Sequence, residues 1–273
     1  MKITIATLIT CYNRREKTIS CLKSLYDCKL PENHTLEIFL VDDGSSDGTK
    51  DAVNTNFPQV NVIQGNGNLF WNQGMHLAWN SASQTKDFDY YLWLNDDTLI
   101  FSNALQCSIK AANETNKNSI ICGATKSNEG ICTYSSFRRI SKKKFERLSP
   151  NGELQHCEVF NGNFVLIPKY VYHTVGNLDS GFTHYLGDFD YGLRASKKGI
   201  HSYLMYEFIG YCEIGNSENK TNKKMNTFDR LKHLYSPLGN NPLQFFKYQF
   251  RHFGIITAVK YFISDHLKTI LKG

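Results

Sequence analysis

No glycine-rich phosphate loop follows the first apolar run of this chain. That turn reads TCYNRREK, Thr10 to Lys17. A dinucleotide oxidoreductase would need G-x-G-x-x-G there, because the glycines let backbone approach a pyrophosphate. No G-x-x-x-x-G-K-[ST] occurs either, which excludes a P-loop enzyme, and a sugar nucleotidyltransferase would also want a glycine-rich loop near its start. The eight cysteines form no C-x-x-C pair, and none of the nine histidines lies in H-E-x-x-H, so no zinc site is predicted. No signal peptide is expected, since the first apolar run is only about eight residues long and meets Asn13, Arg14 and Arg15. Reduced thiols in the cytoplasm are the corresponding expectation. Internal repeats and low-complexity tracts are missing too, and 273 residues at 41% hydrophobic content can bury a core as one large domain.

What the chain has instead is apolar runs that end in acid. YYLWLNDDT, Tyr90 to Thr98, runs from strand-like residues directly into Asn95, Asp96 and Asp97. LEIFLVDDGSSDGT, Leu36 to Thr49, ends in Asp42 and Asp43; Gly44 and Ser45 then turn the chain, and Ser46 or Asp47 can cap a helix. The first run, ITIATLIT, gives way at Thr10 to Asn13 and Arg14, then to a helical segment with Ile19, Leu22 and Leu25 on one face. Three apolar strands separated by helical segments predict an α/β fold with a mostly parallel, doubly wound sheet flanked by helices. Ligands of such sheets bind outside the carboxyl ends of the strands, where these polar groups converge. Adjacent carboxylates there need a cation or strong donors. Hard oxygens suit Mg²⁺ or Mn²⁺, which also bind phosphate oxygens. A solvated acidic strand end is the alternative for any one run taken singly. Three together point to a metal-assisted transferase acting on a nucleotide.

The order T-x-Y-N-R, VDDGS, a glycine- and asparagine-rich helix start, LNDDT and GDFDYGLRA resembles inverting family 2 glycosyltransferases of the GT-A (Rossmann-like) fold. It is most similar to the bacterial rhamnosyltransferase-like branch, from about Ile3 to about Ser217. The resemblance implies a nucleoside-diphosphate sugar donor, UDP- or dTDP-linked, bound by Thr10, Tyr12, Asn13, Arg14, Asp42, Asp43, Asn95 and Asp96. It makes Asp42 the base-reading residue and Asp97 the ligand of Mn²⁺ or Mg²⁺; Asn95 stands where many relatives carry an aspartate. In GNGNLFWNQGMHLAWN, Gly65 to Asn80, the family pattern fits through Asn72, Gly74, Ala78 and Asn80, or slides onto Asn68 and Gly74. Both registers stay open, and Leu69, Phe70, Trp71, Leu77 and Trp79 read as core.

In HYLGDFDYGLRASKKG, His184 to Gly199, Asp190 and Arg194 are spaced to pair along a helix, and Asp188 falls in its first turn, where the dipole favours an ionised carboxylate. The family hallmark is Glu-Asp before D-x-x-x-R, with the Asp as base. Gly187 replaces the Glu, and Asp188 keeps the base position. His184 is the histidine nearest the base, a candidate to orient donor or acceptor. Where many relatives place a histidine near the diphosphate, this chain offers Cys212 and Glu213, and Glu213 is the better metal ligand.

Net positive charge is confined to one end. From Lys220 onward ten Lys or Arg face two Asp, +8, while the rest of the chain carries 21 basic and 23 acidic residues, −2. After Gly254, Ile256, Val259, Ile263, Leu267 and Ile270 share a helical stripe, with Asp265, Lys268 and Lys272 opposite. The run is too short and too charged to span a bilayer. A basic amphipathic helix predicts a peripheral anchor on an anionic membrane surface. A helix packed back on the domain, or in a homodimer interface, is the alternative; no nucleic-acid motif accompanies the charge. The expected organisation is a GT-A domain over 1–217, with a nucleotide-sugar half to about 125 and an acceptor half from about 126, then a basic helical extension over 218–273. The function so implied is transfer to a saccharide or lipid-linked saccharide acceptor on the inner face of the plasma membrane, in bacterial capsule or lipopolysaccharide assembly. A non-catalytic nucleotide-sugar-binding scaffold subunit is the alternative from another class.

Overall fold

The structure, a computed structural model, describes residues 2–141, 143–214 and 226–271. The expected boundary between 217 and 218 therefore lies outside the described residues. In chain order the first half runs β1 (Ile3–Cys11), α1 (Arg15–Tyr26), β2 (His34–Asp42), α2 (Thr49–Asn56), β3 (Asn61–Gln64), α3 (Phe70–Thr85), β4 (Tyr90–Leu94), β5 (Leu99–Ile100), α4 (Ala104–Glu114) and β6 (Ile120–Lys126). The second half continues β7 (Ser136–Ser141), β8 (Lys144–Arg147), β9 (Gln155–Cys157), β10 (Val159–Phe160), β11 (Phe164–Pro168), α5 (Lys169–Val175), α6 (Gly187–Lys197), β12 (Ser202–Tyr211), α7 (Thr227–Leu234), α8 (Pro242–Phe253) and α9 (Ile255–Leu271).

The main sheet has the order β3-β2-β1-β4-β11-β6-β12-β5, with β9 also on β12. Its first four strands are mutually parallel, β11 enters antiparallel between β4 and β6, and β12 is parallel to β6. Helices cover both faces, as expected from the alternating strands and helices. All five residues of β4 are buried, the pattern of a strand covered on both sides. Trp79, Trp93 and Tyr191 pack on one face; Leu22, Leu40 and Leu92 pack on the other. On α1 the buried residues Thr18, Cys21, Leu22 and Leu25 form the single stripe that the spacing predicts.

Register places the polar strand ends together. Cys11 pairs with Asp42, and Leu8 with Trp93, so Asn95 to Asp97 leave the sheet beside the end of β1. Between β6 and β11 the chain forms a small antiparallel sheet, β10-β7-β8, whose Phe137 meets Phe189 of α6 at 5.4 Å between ring centroids. It thus closes over the helix that carries Asp188.

Two of the three C-terminal helices, α7 and α8, start on side-chain caps. Asn226 accepts from the Asp229 N–H on α7, and Asn241 accepts from Leu243 and Gln244 N–H on α8, with Pro242 at the first helical position. Helix α8 is joined to the body, with Tyr248 in a core cluster beside Val159, Phe182 and Leu193. Asp190 accepts from Arg194 of its own helix at 2.8 Å and, across the gap, from Arg251 at 2.7 Å and His252 at 2.8 Å. No described helix is long and apolar enough to cross a membrane.

Candidate active site

Arg14 organises the acidic strand end. Its Nη1 donates to Asp96 Oδ1 at 3.0 Å and to Asp97 Oδ2 at 2.8 Å. The turn that aims it is held by Asn13 in the left-handed region (φ 50°), whose N–H donates to Ser45 Oγ at 2.9 Å and whose Oδ1 accepts from Ser46 N–H at 2.8 Å. Burial pushes the Asp96 carboxyl up to about 7 against the pull of Arg14, and its Oδ2 is buried without a partner. Burial alone would lower the Arg14 pKa, but the two carboxylates raise it. This is one cation shared between two acids, with acceptor capacity left over.

A cavity of about 550 Å³ opens beside this cluster, within the size range of small-molecule sites. Arg14, Asp96 and Asp97 line one part; His184, Tyr185, Asp188 and Phe189 line another. Asp188 sits at the start of α6, after Leu186 in the left-handed conformation (φ 74°). Its Oδ1 accepts from the Phe189 N–H at 2.8 Å and its Oδ2 from the Gly162 N–H at 3.1 Å. Burial nonetheless outweighs these bonds and pushes its carboxyl up to about 6. An acid poised there is ionised at neutral pH yet basic enough to take a proton. His184 is held below the usual histidine range by burial and by Arg14, and its Nδ1 is buried without a partner.

A second cavity, about 280 Å³, shares Arg14, Trp71, Asp96 and His184 with the first and reaches Thr10, Tyr12, Asp43, Phe70 and Leu238. Asp43 accepts three backbone N–H groups, from Gly67 and Leu69 at 2.8 Å and Phe70 at 3.1 Å, and so shapes the loop into α3. Asp42 lies deeper; its Oδ1 accepts from Ser45 N–H at 2.9 Å, and its Oδ2 has no partner.

Several expected donor contacts lie away from these cavities. Asn72 is fully buried, and its Nδ2 donates to the Asp179 and Phe182 carbonyls at 2.9 and 2.7 Å. It ties α3 to the loop before Asp188. Gly74 packs α3 on β1, where an added Cβ would overlap the Thr10 side chain. Asn68 is exposed outside both cavities, and Asn13 acts through the turn. Glu213 accepts from the Asn128 N–H at 2.8 Å and shares a neighbouring cavity with Asp97. Two aromatics read as core also line the cavities: Phe70 lines the second, and Trp71, packed against the core, lines both while donating its indole N–H to Asn95 Oδ1 at 2.7 Å. Tyr134, Asn161 and Leu238 also reach these cavities and carried no local sequence signal.

The missing family Glu has a local explanation. A Cβ at Gly187 would overlap Asn72 Oδ1, so the tether fills the space above that position. Gly187→Ala should destabilise by about 1–3 kcal/mol, as overpacking does. In an Asn72→Ala background the same change should cost clearly less, a coupling of about 0.5–3 kcal/mol measurable by denaturant titration. Equal costs in both backgrounds would show that the contact is not the constraint.

The donor set suits a hard divalent cation. Asp96 and Asp97 supply hard oxygens, one of them unpartnered, whereas Cys212, 3.5 Å from Asp97 Oδ1, is pushed up to about 12 by burial and Asp97 and stays a thiol. Among the described residues no three His, Cys, Asp or Glu side chains form a closed cage. A cation here would be held by one or two carboxylates and by phosphate oxygens, the usual mode for Mg²⁺.

Solved structures with this fold include a mannosyltransferase from Pyrobaculum calidifontis, in complex with GDP-mannose and Mn²⁺ (TM-score 0.54, 14% identity, 99% of this chain and 72% of that one). GalNAc-T7 with UDP, GalNAc and Mn²⁺ aligns at TM-score 0.58 and 14% identity over 97% of this chain, which spans 55% of GalNAc-T7. Residues 1–349 of TarS from S. aureus, in complex with UDP-GlcNAc, align at TM-score 0.57 and 13% identity over 99% of this chain and 82% of that one. The chain spans 50% of a longer TarS structure. At such identities these likenesses establish the fold, GT-A. No curated protein matches the sequence. The family model for glycosyl transferase family 2 matches residues 7–176, more than half of the chain and all three polar strand ends, though it stops short of Asp188. On that match, the chain belongs to glycosyl transferase family 2.

Proposed function

We propose that this chain is an inverting glycosyltransferase that moves a sugar from a UDP- or dTDP-sugar to a hydroxyl of a saccharide or lipid-linked saccharide. The observation that carries this reading is one cavity lined by both the Arg14–Asp96–Asp97 cluster and the Asp188 carboxylate. Arg14, at the wall of both cavities, offers charge-assisted donors to a diphosphate. Mn²⁺ or Mg²⁺, held through Asp97 with Asp96 beside it, would neutralise charge on the leaving diphosphate. Asp188 accepts the proton of the acceptor hydroxyl as its oxygen attacks the anomeric carbon and the bond from that carbon to the diphosphate breaks. The rhamnosyltransferase-like branch, bacterial surface polysaccharide as product, and the inner face of the plasma membrane as setting are part of the same proposal. So is the division at about 217 between transferase domain and extension.

The test is turnover of a panel of nucleotide sugars with and without acceptor, in Mn²⁺, with the product's anomeric configuration read by NMR. Inverted product is expected; retained configuration overturns the single displacement. Hydrolysis without transfer identifies a hydrolase, and binding without turnover identifies a scaffold subunit. The pH profile gives a second check. The Asp188 pKa is raised by burial, so the base is lost as pH falls through about 6, and log(kcat/KM) should drop by about one per pH unit below that. A limb near 4, the ordinary carboxylate value of about 3.9, would place the base elsewhere.

A further inference from the structure

Helix α9 is built inside out for a helix of a soluble domain. Its polar and aromatic side faces inward: Asp265 accepts from Asn240 at 3.2 Å, His266 bonds the Tyr235 hydroxyl at 2.8 Å, and Phe262 meets Phe246 at 6.0 Å between centroids. The aliphatic stripe faces out, with Ile256 84% exposed, Ile263 52% and Leu267 51%. A shallow groove runs along it, edged by Lys260 and Lys268 over Ile263 and Leu267. The stripe is thus neither core nor covered by any described helix of the chain.

We infer that this face docks on an anionic lipid bilayer. Charge selects that occupant: Lys260 and Lys268 edge the groove without an acidic residue in its lining, so a second copy would bring like charge to the same surface, whereas anionic headgroups complement it. Aliphatic side chains enter the headgroup–acyl boundary while the flanking lysines stay at phosphate level. The docked helix also orients the active cavity. Helix α8, which packs against α9, is bolted to the loop that precedes Asp188 and to α6 itself: Lys247 pairs with Asp179 at 2.9 Å, Arg251 with Asp179 of the loop and Asp190 of α6, and Gln244 Nε2 donates to Thr183 Oγ1 at 2.7 Å. The extension therefore holds the cavity in one attitude to the lipid surface, which favours an acceptor presented from that surface. This last step rests on the transferase reading; the docking itself does not.

The experiment is sedimentation of the full chain with phosphatidylcholine vesicles, with or without phosphatidylglycerol, beside light scattering of the protein alone. Partitioning should be at least about tenfold stronger with phosphatidylglycerol and should weaken as salt screens the attraction. Ile263→Glu with Leu267→Glu should lower it at least about tenfold. Lys260→Gln with Lys268→Gln, which leaves the stripe intact, should lower it roughly tenfold to thirtyfold. Solution mass and turnover on a soluble acceptor should stay unchanged in both. Absent binding, or equal partition to both vesicle types, overturns the proposal. So does a stripe variant whose only effect is to turn a dimer into a monomer, since a second copy is then the occupant. Intact vesicle binding without any turnover counts against the transferase reading alone.

Discussion

Asp188→Asn is expected to lower transfer by roughly 10²- to 10⁴-fold, the usual contribution of general base catalysis, with donor binding and fold retained. The carboxylate accepts from the Phe189 and Gly162 N–H groups, and an amide oxygen can keep one of these bonds. Turning an NH₂ toward the other donor costs about 1–3 kcal/mol. Charge works the other way. The folded carboxyl titrates at about 6 and an unfolded one at about 3.9, so the folded state binds more protons between them, and stability falls as pH rises through that window. At neutral pH the substitution relieves up to about 3 kcal/mol of that cost. The two effects nearly cancel, so the melting temperature should move little while the rate collapses. A helix cap without a catalytic role would give the same small stability change with an unchanged rate. A rate loss below about fivefold therefore excludes Asp188 as the base.

The acidic strand ends were legible because apolar runs and their polar termini are local patterns, and parallel register then aligns them without further information. Asp42 beside Cys11, and Asp96 and Asp97 beside the end of β1, follow from that alone. The glycine- and asparagine-rich start of α3 was less legible, since a buried tether and a donor contact call for the same residue type. Asn72 binds carbonyls 107 and 110 residues away, a distance at which no spacing rule applies. Trp71 was hidden for a related reason: its ring is partly buried like a core residue, yet its N–H meets Asn95 at the cavity wall. Leu238 reaches the donor side from the extension, which composition alone would have set apart as a tail. The stripe on α9 was visible, but hydrophobic periodicity gives an amphipathic helix and not the side that faces water. Contacts of Asp265 and His266 with the α7–α8 segment decide that.

Asp97→Ala should reduce transfer by roughly 10³-fold or more, several kcal/mol of lost stabilisation on the departing diphosphate. Its Oδ2 now shares Arg14 with Asp96, so removing it leaves Arg14 and Asp96 as a matched pair at 3.0 Å rather than an uncompensated buried charge. The fold should survive for that reason. The converse change, Arg14→Ala, leaves the nearly buried Asp96 beside Asp97 without its half-exposed donor and should destabilise by about 1–3 kcal/mol, the cost of an acceptor left unpaired. Chelation separates the metal from the mere charge. Wild-type activity should vanish in EDTA and return with Mn²⁺ or Mg²⁺, and Mn²⁺ should raise the melting temperature only when a nucleoside diphosphate is present, since the protein supplies one or two carboxylates and the phosphates supply the rest. In Asp97→Ala that joint stabilisation should disappear. Full activity in EDTA, with Asp97→Ala still inactive, would instead make Arg14 the cation that faces the diphosphate and Asp97 the residue that aims it.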